Sequence, residues 1–124
     1  MDVVAAAVVR NARVLAARRV RPAGAWEFPG GKVEAGESAA AAIERECGEE
    51  LGVSVRAVAP LAVARDERIV LHVWHVELLA GTPAARQDHD ELRWVNAEEL
   101  AALGWLALDR QVLGAVADLL RRHW

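Results

Sequence analysis

Apolar and polar positions along the chain follow two different periods. Val3 to Val9 and Val14 to Ala17 are runs of valine, leucine and alanine separated by Asn11-Ala12-Arg13, which predicts two strands joined as a hairpin. Arg18 to Ala25 is basic, contains Pro22 and Gly24, and reads as a loop. Trp26-Glu27-Phe28-Pro29-Gly30-Gly31 is a short extended piece that turns at its two glycines. Ser38 to Leu51 has the composition of a helix, and Gly52 follows as a stop. Val53 to Val63 predicts an extended segment broken near Pro60, and Ile69 to Leu79 carries the strongest strand signal, ending at Gly81-Thr82-Pro83. A polar loop, Gln87 to Glu91, precedes a short strand at Leu92 to Val95, and Asn96 with Glu99 three residues on forms a capping box. A last helix is expected from about Asp109 to the end, with Leu113, Val116, Leu119 and Leu120 as its apolar stripe and Trp124 at its frayed end. Strands interleaved with helices predict an α/β or α+β sandwich rather than a bundle.

The helix over 38–51 departs from simple amphipathicity. At roughly 100° per residue with Ile43 at zero, Ala39, Cys47 and Leu51 fall at about −40°, +40° and +80° and define the buried stripe. Glu44 and Arg45 lie at about +100° and −160°, but Glu50 falls at about −20°, inside the stripe, with Glu46 at about −60° and Glu49 at about −120°. A solvated acidic face would put its glutamates opposite the stripe. Three clustered carboxylates also repel one another, so something must offset both costs. A divalent cation does so, because hard cations prefer carboxylate oxygens.

Size and charge narrow the rest. The 124 residues, 54 % of them apolar, suit one domain spanning 1–124 with one core. A net charge of −3 gives no general affinity for a nucleic acid polymer or an anionic membrane. Lys32 is the only lysine among the basic residues, and Cys47 is the sole cysteine, so no internal disulfide can form. The apolar start, Met1 to Arg10, carries Asp2 and no basic leader and is shorter than the roughly 20 residues of a membrane helix, so a cytoplasmic protein is expected.

The segment 31–53 reads Gly31, five residues, Glu37, seven residues, then Arg45-Glu46-Cys47-Gly48-Glu49-Glu50-Leu51-Gly52-Val53. It resembles the Nudix box, the signature of the Nudix hydrolases, at every defined position. Trp26 to Lys32 resembles the lead-in of the MutT-type branch, and length and element order fit that family's α/β/α sandwich around a mixed sheet. The resemblance implies that Glu46, Glu49 and Glu50, with the Gly31 carbonyl, hold Mg²⁺, for which Mn²⁺ is a substitute. It implies that Arg45 orients the carboxylates and that Glu37 supports the loop-to-helix turn. One glutamate, Glu46 first, takes the proton of the attacking water, although clustered carboxylates titrate together. A further loop ligand corresponds to Asp88, with Asp90 and Glu91 as rivals. Arg19 matches a phosphate- or ribose-contacting position, whereas Arg18 and Arg21 read equally as a solvated basic loop. Lys32 either reaches the phosphates or is solvated.

Phe28 corresponds to a residue lining the base pocket, or is ordinary core. Asp109 corresponds to a residue reading the base edge, or is the N-cap of the last helix. An ionised Asp109 would accept from the amino group of cytosine, and a protonated one could donate to an oxidised guanine. The stretch Ile69 to Val76, with Gly81-Thr82 after it, resembles CTP pyrophosphohydrolase members of the branch. CTP, dCTP or modified pyrimidine triphosphates are therefore expected as substrates, with 8-oxo-dGTP close behind. His72 and Trp74 share one strand face and His75 takes the other; these histidines and Trp105 are expected to be structural. Rival readings are a Nudix enzyme for ADP-ribose, dinucleoside polyphosphates or capped RNA, and a non-catalytic nucleotide-binding module. A monomer or homodimer is expected.

Overall fold

Strand β1 (Asp2–Arg10) carries small and branched apolar residues on both faces, and Val4 through Val8 are all buried. A strand covered on both sides reads as a continuous apolar run rather than an alternating one, and it belongs at the centre of a sheet. In the computed structural model, which describes residues 1–122, β1 holds that place. It pairs antiparallel with β2 (Arg13–Arg19) and parallel with β6 (Val70–Ala80), so the sheet is mixed. The sheet order is completed by β3 (Trp26–Glu27) outside β2 and β5 (Ser54–Arg65) outside β6. β4 (Gly30–Lys32) pairs with the start of β1, and β7 (His89–Val95) with β2. β5 changes register around Ala57 and Pro60, at the sheet edge where a residue lacking an N–H is tolerated.

Alternation along β1 sends Val4, Ala6 and Val8 to one face and Ala5 and Ala7 to the other. The first face packs against Ile43, Cys47 and Leu51 of α1 (Ala39–Leu51). The second packs against Val116 and Leu120 of α3 (Leu113–Arg122), which follows the short α2 (Ala107–Arg110). The result is the expected α/β/α sandwich around a mixed sheet. α1 starts at Ser38, whose hydroxyl accepts from the Ala41 N–H at 3.1 Å, and it stops at Gly52, a left-handed residue with φ 72°. No helix among the described residues is long and apolar enough to cross a membrane.

Three local expectations change. Arg18 and Arg19 belong to β2 rather than to a loop, and β7 begins at His89 rather than Leu92, because these two segments pair with each other. The final helix is broken: α2 starts at Ala107, ahead of Asp109, and α3 follows at Leu113. The Leu106 N–H bonds to the Trp26 carbonyl at 2.9 Å and so pins the chain just before α2. Asp109 is therefore not an N-cap. Asn96 and Glu99 do form the reciprocal capping box, both bonds at 2.9 Å, ahead of a single 3₁₀ turn at Leu100–Ala102. Trp124 lies outside the described residues.

Candidate active site

β1 shares one edge between two partners, β4 along Val3–Ala5 and β2 at Val9–Arg10. Where those partners part, a cleft of about 670 Å³ opens, lined by Val3, Phe28, Gly31, Glu46, Glu50 and Asp109 among others. The end at α1 is acidic, with Glu46, Glu49 and Glu50; the end at α2 carries Leu108 and Asp109, which bonds to Phe28, and Ile69, Leu71, Asp66 and Asp88 complete the lining.

Arg45 organises the acidic end. Its guanidinium donates to both oxygens of Glu37 at 2.8 and 3.0 Å, to Glu46 at 2.6 Å, to Glu49 at 3.4 Å and to the Lys32 carbonyl at 3.0 Å. Those bonds, together with the Glu34 N–H, hold the Glu37 carboxyl down at about 2. Helix, turn and β4 are thereby tied through one side chain. Glu50 lies in the buried stripe, as its angular position predicts, and is only 6 % exposed. One oxygen accepts from the Gly30 N–H at 2.8 Å. Burial pushes its carboxyl up to about 7 against the opposing pull of His89 and that N–H.

The donor set suits a hard divalent cation. A Cβ on Gly31 would lie 2.5 Å from Glu46 Oε2, so the glutamate fills space that only a glycine leaves open. Glu50 is a buried carboxylate short of countercharge, which a bound cation would supply. Among the described residues no three acidic, histidine or cysteine side chains yet converge on one point. Arg45 holds one oxygen of Glu46, and the other lies against Gly31 at the cleft.

The other expected residues divide. Of the three rival acids, Asp88, just before β7, alone lines the cleft; Asp90 and Glu91, within β7, pair with Arg18 at 2.8 and 3.0 Å. Arg19 lines the cleft, but its guanidinium is engaged with Glu27 at 3.1 Å and the Arg21 carbonyl at 2.6 Å. Lys32 is exposed and lies outside the lining. Phe28 and Asp109 meet directly, the Phe28 N–H donating to Asp109 Oδ2 at 2.9 Å. Burial pushes the Asp109 carboxyl up to about 7. Trp105 is buried, its ring centroid 4.6 Å from that of Phe28 and its indole N–H on the Leu100 carbonyl, so it backs Phe28 from the core. His72 reaches Asp2 at 2.9 Å, away from the cleft lining.

Two further residues at the site, Glu27 and His89, are not among the candidates expected from the sequence. Glu27 sits in the lead-in to Gly30-Gly31, and His89 in what read as a polar loop. The His89 side chain is wholly buried, with Nε2 2.8 Å from Glu27 Oε2 and Nδ1 4.0 Å from Glu50 Oε2. Pairing with β2 carries β7 back to His89 across an irregularity in register at Arg18/Arg19, and the histidine is buried there.

Against known proteins, the model of the NUDIX domain family matches residues 1–115. The chain belongs to the Nudix family. It is thus a hydrolase of phosphoric anhydride bonds. It is 48 % identical over 130 residues to a Mycobacterium tuberculosis protein named "Putative 8-oxo-dGTP diphosphatase 2", covering 96 % of this chain and 87 % of that one. It is 42 % identical over 106 residues to the CTP pyrophosphohydrolase of Escherichia coli K12, covering 80 % and 78 %. Among solved structures, the E. coli ORF135 protein superposes with a TM-score of 0.86 at 37 % identity, covering 98 % of this Nudix chain and 91 % of that one. The MutT NUDIX hydrolase of Burkholderia pseudomallei gives 0.83 at 30 % identity, covering 93 % and 96 %.

Proposed function

We propose that this Nudix hydrolase converts nucleoside triphosphates to the monophosphate and pyrophosphate in the presence of Mg²⁺, acting on CTP, dCTP, modified pyrimidine triphosphates or 8-oxo-dGTP to clear the nucleotide pool. The observation that carries the reading is a single cleft with carboxylates at one end and a buried acid beside Phe28 and Leu108 at the other. A triphosphate divides the same way, into a polyanion that needs cations and a planar base that needs apolar walls. The relatives named for 8-oxo-dGTP and CTP support the same substrate class.

Glu46, Glu49, Glu50, Asp88 and the Gly31 carbonyl would hold Mg²⁺, with Mn²⁺ as a substitute. The bound ion supplies screening of phosphate charge and a lowered pKa for water. Glu46 takes the proton of the attacking water. The water oxygen bonds to the β-phosphorus as the link from that phosphorus to the α–β bridging oxygen breaks, and the monophosphate leaves with that oxygen. Arg45, anchored on Glu37 and on the Lys32 carbonyl, keeps the helix in register with β4. At the other end Phe28 lies along the base, and Asp109 reads its edge: the ionised form accepts from cytosine, the protonated form donates to an oxidised guanine.

The test is hydrolysis of a panel of normal, methylated and oxidised nucleoside triphosphates with Mg²⁺ in ¹⁸O-labelled water. Monophosphate and labelled pyrophosphate are expected, fastest with a cytosine or 8-oxo-guanine base. Diphosphate with orthophosphate would overturn the reaction, and equal rates on all bases would overturn the pocket.

A further inference from the structure

Behind the carboxylates that face the cleft, the structure holds a row of polar groups, half-buried Arg19 and Glu27 and buried His89, that the proposed reaction does not use. Arg19 Nη1 donates to both oxygens of Glu27 at 3.1 Å, which fixes the plane of that carboxylate. Glu27 Oε2 in turn lies 2.8 Å from His89 Nε2. The imidazole is held from that side and has no exposure with which to turn toward solvent. Its other nitrogen, Nδ1, is the single buried side-chain polar atom among the described residues without a hydrogen-bond partner. Nδ1 faces Glu50 Oε2 at 4.0 Å, while Glu50 Oε1 is occupied by the Gly30 N–H. With Nε2–H donating to Glu27, a ring that also carries a proton on Nδ1 would donate to Oε2 after a small rotation of the glutamate side chain. Leaving a buried nitrogen unpaired is costly, so a partner in the working state is expected.

We propose that His89 is a positioning residue for Glu50: clamped by Glu27 and Arg19, it fixes through Nδ1 the direction in which the Glu50 carboxylate meets the cation. The inference rests on the reading of Glu50 as a metal ligand. Outer partners of ligating carboxylates commonly have this role, and their loss costs roughly 10–100-fold in metal affinity or activity. The geometry also explains why Arg19 lines the cleft while spending its guanidinium on Glu27. It anchors the far end of the row, so the metal site is braced from β2, β3 and β7 as well as from α1.

Two substitutions separate positioning from mere filling. The amide of asparagine falls near the place of Nδ1, and the amide of glutamine near that of Nε2. His89→Asn thus keeps a donor toward Glu50, and His89→Gln keeps only the contact to Glu27. Calorimetric titration with Mn²⁺ should show His89→Gln weaker than the unaltered protein by about tenfold or more, with His89→Asn clearly tighter than His89→Gln. A core-filling role predicts equal losses or the reverse order, and either result would overturn the proposal. Thermal melts show whether each variant is folded. Should neither fold, ¹⁵N spectra of the unaltered ring decide: Mn²⁺-free Mg²⁺ addition should move the Nδ1 resonance, and an unmoved one defeats the proposal. Glu50→Gln is the control for the underlying reading. If it leaves Mn²⁺ affinity intact, the metal role of Glu50 fails; if it abolishes binding while His89→Gln does not weaken it, only the inference about His89 fails.

Discussion

Asp109 is where burial changes the chemistry of a single residue most usefully. It is 5 % exposed, and loss of hydration raises its carboxyl from an ordinary 3.8 to about 7. Because the folded value lies above the unfolded one, the native state binds the extra proton between about pH 4 and 7. Stability from this group therefore falls as pH rises through that window and levels above it. Asp109→Asn retains an oxygen for the Phe28 N–H but cannot ionise. Relative to the unaltered protein it should gain about 2 kcal/mol between pH 5.5 and pH 8, measured by urea unfolding at both. An unchanged difference would mean that Asp109 is ionised at little cost. Sequence could mark Asp109 only as either an N-cap or a base-reading residue. Its partner, the Phe28 N–H, is eighty-one positions away, and no local pattern reports such a bond. Glu50 was legible for the opposite reason, since helical period alone puts it among Ile43, Cys47 and Leu51.

At the scale of elements, the junction between β4 and α1 sets the acidic end. Gly31 lies against the Glu46 carboxylate, and its backbone is outside the left-handed region, so alanine is conformationally acceptable there. What alanine would meet is the far end of a flexible side chain. Gly31→Ala should cost less than about 1 kcal/mol of stability. Displacing Glu46 should cost far more in function, about 10–100-fold in turnover with Mg²⁺. Melting curves and initial rates on one substrate check both halves; a large loss of stability would show that the strand pairing, not the glutamate, was disturbed. The elements most legible in the chain were those with a local signature: the hairpin, α1 with its serine cap and glycine stop, and the Asn96–Glu99 box. β7 extends three residues ahead of its apolar run because its polar first residues are held in the sheet by β2, a tertiary cause. The start of α2 at Ala107, ahead of Asp109, likewise has a tertiary contact beside it, the Leu106 N–H held by the Trp26 carbonyl.

Across the whole molecule, two apolar layers close on β1 and leave two carboxylates buried among the described residues, Asp109 on α2 and Glu50 between α1 and the sheet; Glu50 is the one at the acidic end. Such a group weakens the metal-free fold and strengthens the metal-bound one, so stability and function pull in opposite directions at one position. Glu50→Gln keeps an acceptor for the Gly30 N–H while removing the charge. In chelator-treated protein this variant should therefore melt higher than the unaltered chain. For the unaltered chain, Mg²⁺ at a hundred times its dissociation constant should add about 2.7 kcal/mol by mass action, roughly 10 °C in Tm. For Glu50→Gln that gain should largely vanish, and the two melting curves should cross as Mg²⁺ is added. Scanning calorimetry across an Mg²⁺ series measures both signs at once. Parallel shifts in the two proteins would remove Glu50 from the metal site, whereas a lower metal-free Tm for the variant would show that its charge is already compensated within the fold.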